Sequence, residues 1–144
     1  GVVFMPVITP KQKINQTKMF GDGAIEVQLV GDTFDDCALA AKKYTEENEM
    51  TFIPPFDDYR IIEGQGTVGL EILEEQSDID YVFVPVGGGG LSAGVGTYFK
   101  TYSPKTKIIG LEPEGAPSMK RALEAGEPVT LESIDRFVDG AAVK

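Results

Sequence analysis

Short apolar runs alternate with longer amphipathic stretches along most of this chain. "GVVFMP" reads as a buried strand, and "TPKQKINQTKMF" as a helix with Pro10 in its first turn and Thr9 as N-cap. Ile14, Thr17 and Lys18 share one face of that helix, and "GDG" at residues 21–23 stops it. "AIEVQLV" carries β-formers in partial alternation and reads as a strand. In "TFDDCALAAKKYTEEN", Phe34, Ala38 and Ala41 recur at helical spacing, with acids near the start and Lys42 and Lys43 later. "MTFIPPFDD" is read as a short strand ended by Pro54 and Pro55.

A second block repeats the alternation. "EGQGTVGLEILEEQ" starts with glycines and runs into a helix whose Val68, Ile72 and Leu73 face inward. "DYVFVPV" is a near-continuous apolar strand, the pattern of a strand covered on both faces. Four glycines and a helix from about Leu91 follow, and then the strand in "KTKIIGLEPEG". "APSMKRALEAGEPV" is a short helix ended by Gly126 and Pro128, and "FVDGAAV" is irregular or a last short strand. Strands alternating with helices predict an α/β fold of parallel sheets with flanking helices. A boundary is expected near Asp57–Ile61, where prolines, acids and a charged turn interrupt the pattern. The abrupt opening and the equally abrupt "DGAAVK" lead us to expect an internal piece of a longer protein.

Charge and composition narrow the function. The 144 residues hold 13 Lys+Arg against 23 Asp+Glu, a net charge of −10, which argues against nucleic acid or an anionic membrane as partner. No apolar run approaches the ~20 residues of a membrane span, and the first residues lack the basic start of a signal peptide, so a cytoplasmic protein is expected. There is no histidine, which removes a Ser-His-Asp triad, a Cys-His pair and any His-containing zinc site within the chain. The single cysteine, Cys37, cannot form an internal disulfide and reads as a small buried hydrophobe rather than a nucleophile.

The chemistry concentrates in "PVGGGGLSAGV". A tight strand-to-helix turn needs one or two glycines, whereas Gly87–Gly90 are four in a row. Each costs roughly 0.5–1 kcal/mol relative to alanine where the backbone is ordered. At the carboxyl end of a parallel strand, a loop without Cβ atoms lets backbone N–H groups converge on an anion, and the following helix adds its positive end. A phosphate monoester fits both features. The pattern is not a P-loop, because no lysine follows the glycines. A loose dinucleotide fingerprint can be laid on Gly88, Gly90 and Ala93, with Glu112 as the expected acid. A noncatalytic phosphate- or nucleotide-binding module therefore stays open beside an enzyme.

"VFVPVGGGGLSAGV" resembles the tetraglycine loop of the fold-type II pyridoxal-phosphate enzymes, in their serine/threonine dehydratase branch. "VVFMPVITPKQKINQTKMFG", "IPPFDDYRIIEGQGTVGLEI", "KIIGLEPEGAPSM" and "FVDGAAV" agree with that branch in order and spacing, so the resemblance covers nearly the whole chain. It implies that residues 1–58 are a small-domain portion and residues 59–144 the central part of a large cofactor-binding domain. It implies pyridoxal 5'-phosphate as cofactor, its phosphate held by backbone N–H groups of Gly87, Gly88, Gly89, Gly90 and Leu91. Gly140, in the Asp139–Val143 stretch, would pass near the cofactor ring, and "GQGT" at 64–67 would start a structural helix. The implied activity is deamination of L-threonine to 2-oxobutanoate and ammonia in isoleucine synthesis, with serine dehydration or serine racemisation as the alternative within the branch. A small amino-acid substrate and a homo-oligomeric parent go with it.

Parts of the family pattern are missing here. No S-x-K-x-R-G-A motif occurs, so the lysine that bonds the cofactor is expected upstream, as is the asparagine that contacts the ring hydroxyl. Lys11, Lys13, Lys18, Lys42, Lys43 and Lys100 read as solvated helix-surface residues. The partner of the pyridine nitrogen, and a regulatory domain, are expected downstream. Some relatives hold a divalent cation near the "EP" loop. Glu112 matches the first acid and Ala116 the carbonyl, but Ser118 stands where the second acid belongs, and a hydroxyl is the weaker ligand for a hard cation. Glu112 is therefore expected to be a solvated or hydrogen-bonded loop acid rather than a metal ligand.

Overall fold

The computed structural model describes residues 1–135, 137, 138, 140, 141 and 143. The chain forms two compact units, Gly1–Ile53 and Pro54–Lys144, so residues 54–58 go with the second unit. Both units are α/β with a parallel strand pair and flanking helices. Among the described residues no helix is long and apolar enough to cross a membrane.

In the first unit β1 (Val2–Met5) pairs in parallel with β2 (Glu26–Leu29), in the register Val2↔Glu26 to Met5↔Leu29. Between them runs α1 (Lys11–Gly21), which ends where Asp22 takes a left-handed conformation ahead of Gly23. Pro10 sits at the N-cap rather than inside the first turn, and no side chain caps α1, so Thr9 does not have the role the sequence suggests. The next helix, α2 (Phe34–Glu47), begins with a capping box. The Thr33 hydroxyl accepts the Asp36 N–H at 3.1 Å, and the Asp36 carboxylate accepts the Thr33 N–H at 3.2 Å. Phe4 and Tyr44 meet at a ring-centroid distance of 5.3 Å. Cys37 is buried on α2, and burial pushes its thiol pKa up, which keeps it protonated and inert. The stretch at 51–54 is not a strand: no strand among the described residues pairs with it, and Pro54 and Pro55 have no N–H to offer one.

The second unit starts with α3 (Tyr59–Glu75), capped by Asp58, whose carboxylate accepts the Arg60 N–H at 2.8 Å. The charged turn expected at 57–61 is therefore the start of this helix, and "GQGT" lies inside it. β3 (Tyr81–Pro85) pairs in parallel with β4 (Lys107–Leu111), Tyr81 opposite Lys107 and Pro85 opposite Leu111. α4 (Gly90–Tyr102) connects them, and α5 (Ser118–Ala125) follows, ended by Gly126 in the left-handed region.

Val84, Val95 and Phe99 form the buried centre, with Ile72, Leu73, Ile79, Val82, Leu91 and Ile108 packed on it. Val82 and Val84 thus face the helices. Tyr81 and Phe83, on the opposite face, are exposed, so β3 is covered on one side only among the described residues. α3 and α4 approach closely through glycine. A Cβ on Gly94 would overlap the Ile62 carbonyl and lie 2.7 Å from the Gly66 nitrogen. The face that α3 presents therefore includes Ile62 and Gly66, while Val68, expected inside, is 40% exposed.

Candidate phosphate-binding loop

β3 delivers the chain to the glycines. Val86, the residue after the strand, still donates its N–H to the Leu111 carbonyl at 2.8 Å, which ties the loop's start to the end of β4. Both parallel strands end on this side, where ligands bind in open α/β sheets. Gly87–Gly89 form the bend, and Gly89 is the N-cap of α4 with φ +87°, a conformation that disfavours any side chain. Its carbonyl accepts the Ala93 N–H at 2.9 Å and the Ser92 hydroxyl at 2.9 Å, which locks the first turn. Ser92 Oγ is thereby committed to its own helix.

Each glycine also meets a neighbour that a Cβ would strike. On Gly88 a Cβ would overlap the Phe56 ring, and on Gly90 it would lie 2.9 Å from the Phe56 Cβ. On Gly89 it would come within 2.9 Å of the Met119 methyl, and on Gly87 within 3.1 Å of the Ala141 Cα. Packing within the unit thus accounts for the four missing side chains in a way the sequence did not reveal. Packing and anion binding are not rivals here, because Cβ and N–H project from different backbone atoms. The N–H groups of Gly87, Gly88, Gly89, Gly90 and Leu91 donate to no acceptor among the described residues. Those of Gly90 and Leu91 belong to the first turn of α4, which has no intrahelical acceptor for them. A row of unpaired donors, a Cβ-free bend and the positive end of a helix suit a dianionic phosphate.

The remaining candidates fall around this loop or away from it. Ala141 touches Gly87, which brings the end of the chain to the loop; Gly140 is exposed, with open space where a Cβ would be. Asp139 and Ala142 of the same stretch lie outside the described residues. Glu112 follows β4, and its two carboxylate oxygens accept the N–H groups of Met119 at 2.7 Å and Lys120 at 2.9 Å. Ser118, its expected companion, is buried at the start of α5. Among the described residues no three Asp, Glu, Cys or His side chains gather as a metal site would need. Lys11, Lys13, Lys18, Lys42, Lys43 and Lys100 all lie on exposed helix positions. Phe56 and Met119 are the participants that sequence reasoning missed. Phe56 stood in a segment read as the end of a strand, and nothing in the spelling of Met119 ties it to residues 30 positions earlier.

Known proteins with this pattern point one way. L-threonine dehydratase biosynthetic IlvA of Halalkalibacterium halodurans is 57% identical over 145 residues, covering 100% of this chain and 35% of that protein. The chain thus spans about a third of the length of the curated relatives it matches. The processed form of threonine deaminase isoform 2 from Solanum lycopersicum superposes with a TM-score of 0.87 at 48% identity, over 99% of this chain and 40% of that one. Maize serine racemase gives a TM-score of 0.83 at 32% identity, over 99% and 43%. The family model described as "Pyridoxal-phosphate dependent enzyme" matches residues 1–144, the tetraglycine bend included, and the chain belongs to that family.

Proposed function

We propose that this chain is the phosphate-gripping part of a threonine ammonia-lyase, the enzyme that converts L-threonine to 2-oxobutanoate and ammonia in isoleucine synthesis. The observation that carries the reading is the row of N–H groups from Gly87 to Leu91, at the mouth of α4, that donate to no acceptor among the described residues. Relatives at 57% and 48% identity are named for threonine, against 32% for the serine racemase.

Pyridoxal phosphate, when bound, supplies the electron sink that makes the substrate's α-proton removable. The chain's own residues supply position. Gly87–Leu91 donate N–H groups to the phosphate, and the α4 dipole adds favourable field without a mobile charge. Because these donors are neutral, the loop would hold the phosphate without cancelling its negative charge. Gly140 would lie near the ring in this reading. No lysine of this chain is assigned the role of base. The division into a small-domain portion and a large cofactor-binding portion, a cytoplasmic setting and a homo-oligomeric assembly belong to the same proposal.

The test is made on the intact protein carrying this chain. Supplied with cofactor, it releases 2-oxobutanoate from L-threonine faster than pyruvate from L-serine. A preference for serine, or accumulation of D-serine, would replace this reading with the serine alternative.

A further inference from the structure

α5 lacks the cap that a helix of its kind usually has. Its N-cap is Pro117, which has no side-chain acceptor to offer the first turn. Met119 and Lys120 occupy N2 and N3, the positions whose N–H groups an N-cap side chain ordinarily satisfies. Glu112 does this from outside the helix. Its two oxygens take those two N–H groups at 2.7 and 2.9 Å, from seven and eight residues away. A carboxylate there also gains from the helix dipole. The helix so held carries Met119, whose methyl lies where a Cβ on Gly89 would reach to 2.9 Å. Gly89 in turn is the left-handed N-cap of α4, in the middle of the row of N–H groups that meet no acceptor among the described residues. Glu112 is thus connected to the glycine loop through two backbone hydrogen bonds and one side-chain contact.

We propose that Glu112 is a positioning residue for the phosphate loop, acting through α5 and the Met119 methyl on Gly89. This rests on the reading that the loop grips the cofactor phosphate. The carboxylate that the sequence reads as a solvated or hydrogen-bonded loop acid acts here as an external helix cap. It faces the backbone of α5 with both oxygens, and its work is to keep Gly89 at the geometry that aims the donors at one anion.

The test compares pyridoxal phosphate with pyridoxal, which has the ring and aldehyde without the phosphate, as ligands of the intact apo-protein. Wild-type protein prefers the phosphorylated ligand strongly if the loop grips phosphate. E112A weakens pyridoxal phosphate about tenfold, the scale of one lost helix cap, and leaves pyridoxal unchanged. E112Q, which keeps one acceptor oxygen, recovers part of the loss. M119A alone weakens pyridoxal phosphate about threefold, and E112A/M119A is no weaker than E112A, because both changes act along one path. Equal losses for both ligands, no loss, or additive losses in the double variant would overturn the proposal. So would Mg²⁺ that tightens cofactor binding in wild type but not in E112A, since Glu112 would then be a cation ligand. A wild type that does not distinguish the two ligands sinks the phosphate reading itself, and this proposal with it. A normal wild-type preference that E112A leaves intact sinks this proposal alone.

Discussion

The two units are built on the same plan and held together differently. Each has two parallel strands joined by a helix. In Gly1–Ile53 the buried residues are Gly21 and Cys37, and the best-defined polar structure is local, the capping box at Thr33. In Pro54–Lys144 a buried cluster of Val84, Val95 and Phe99 sits under two helices that touch through glycine. The contrast teaches where rigidity is placed. The unit with the tight core is the one that carries the glycine loop, and donors that must converge on one anion need a backbone that does not wander.

The largest effect should come from the cluster's centre. Phe99 is 0% exposed, and Phe99→Ala should cost about 3–5 kcal/mol, read from urea unfolding. The loss should appear as new protease cleavage within Pro54–Lys144, with the first unit's pattern unchanged. Equal sensitivity in both units would break the comparison. Gly94→Ala comes next, at about 3 kcal/mol, because the added methyl meets the backbone of α3 at Ile62 and Gly66, where no rotamer change makes room. If it instead proves neutral in the same unfolding assay, the helices do not meet through glycine.

These two positions also show how far the sequence could be read. The strands β1 to β4 and all five helices were visible as apolar runs and helical periodicity, and the glycine run marked the loop because four glycines in a row have few structural uses. The inward face of α3 was visible only in part: Ile72 and Leu73 do pack on the buried cluster. Part of its contact surface is Gly66, which carries no hydrophobic signal, so periodicity pointed to Val68 instead. The start of α3 was missed for a similar reason. Asp57, Asp58 and Arg60 look like a charged turn, yet Asp58 and Arg60 form the cap. "MTFIPP" has strand-like composition, but a strand exists only with a partner, and pairing is not written in a local window. The packing of Phe56 and Met119 on the loop is likewise long-range. The phosphate donors could be inferred because backbone N–H groups need no particular side chain, only their absence.

A smaller effect sharpens the contrast from the other side. Thr33→Ala removes one half of the capping box and should cost about 1 kcal/mol, seen as faster amide hydrogen exchange at the start of α2. The first unit depends on this local device, so the exchange should spread along α2. Protection that changes only at Asp35 and Asp36 would mean that the helix is held by packing after all, and that the units are more alike than their buried residues suggest.

The smallest effect separates the two kinds of helix start by pH. Asp58 caps α3 while paired with Arg60 at 2.9 Å. The Arg60 side-chain hydrogen bonds, then the Arg60 N–H, hold its carboxyl down to about 2. A carboxyl whose pKa is lower folded than unfolded stabilises the fold above the unfolded value, about 4, and loses that contribution as pH falls toward about 2. Many acids titrate in that window, so the useful quantity is the difference between wild type and Asp58→Asn, which keeps a good cap and removes the titration. Wild type should hold its advantage in thermal midpoint at pH 5 and lose it progressively between about pH 4 and pH 2. Arg60 is largely exposed and the pair is open to solvent, so added salt should shrink the advantage as well. A difference that stays flat down to pH 2 would mean that Arg60 does not hold Asp58 in solution. The start of α3 would then rest on the Asp58 cap without the ion pair, and the second unit would differ from the first only in its core.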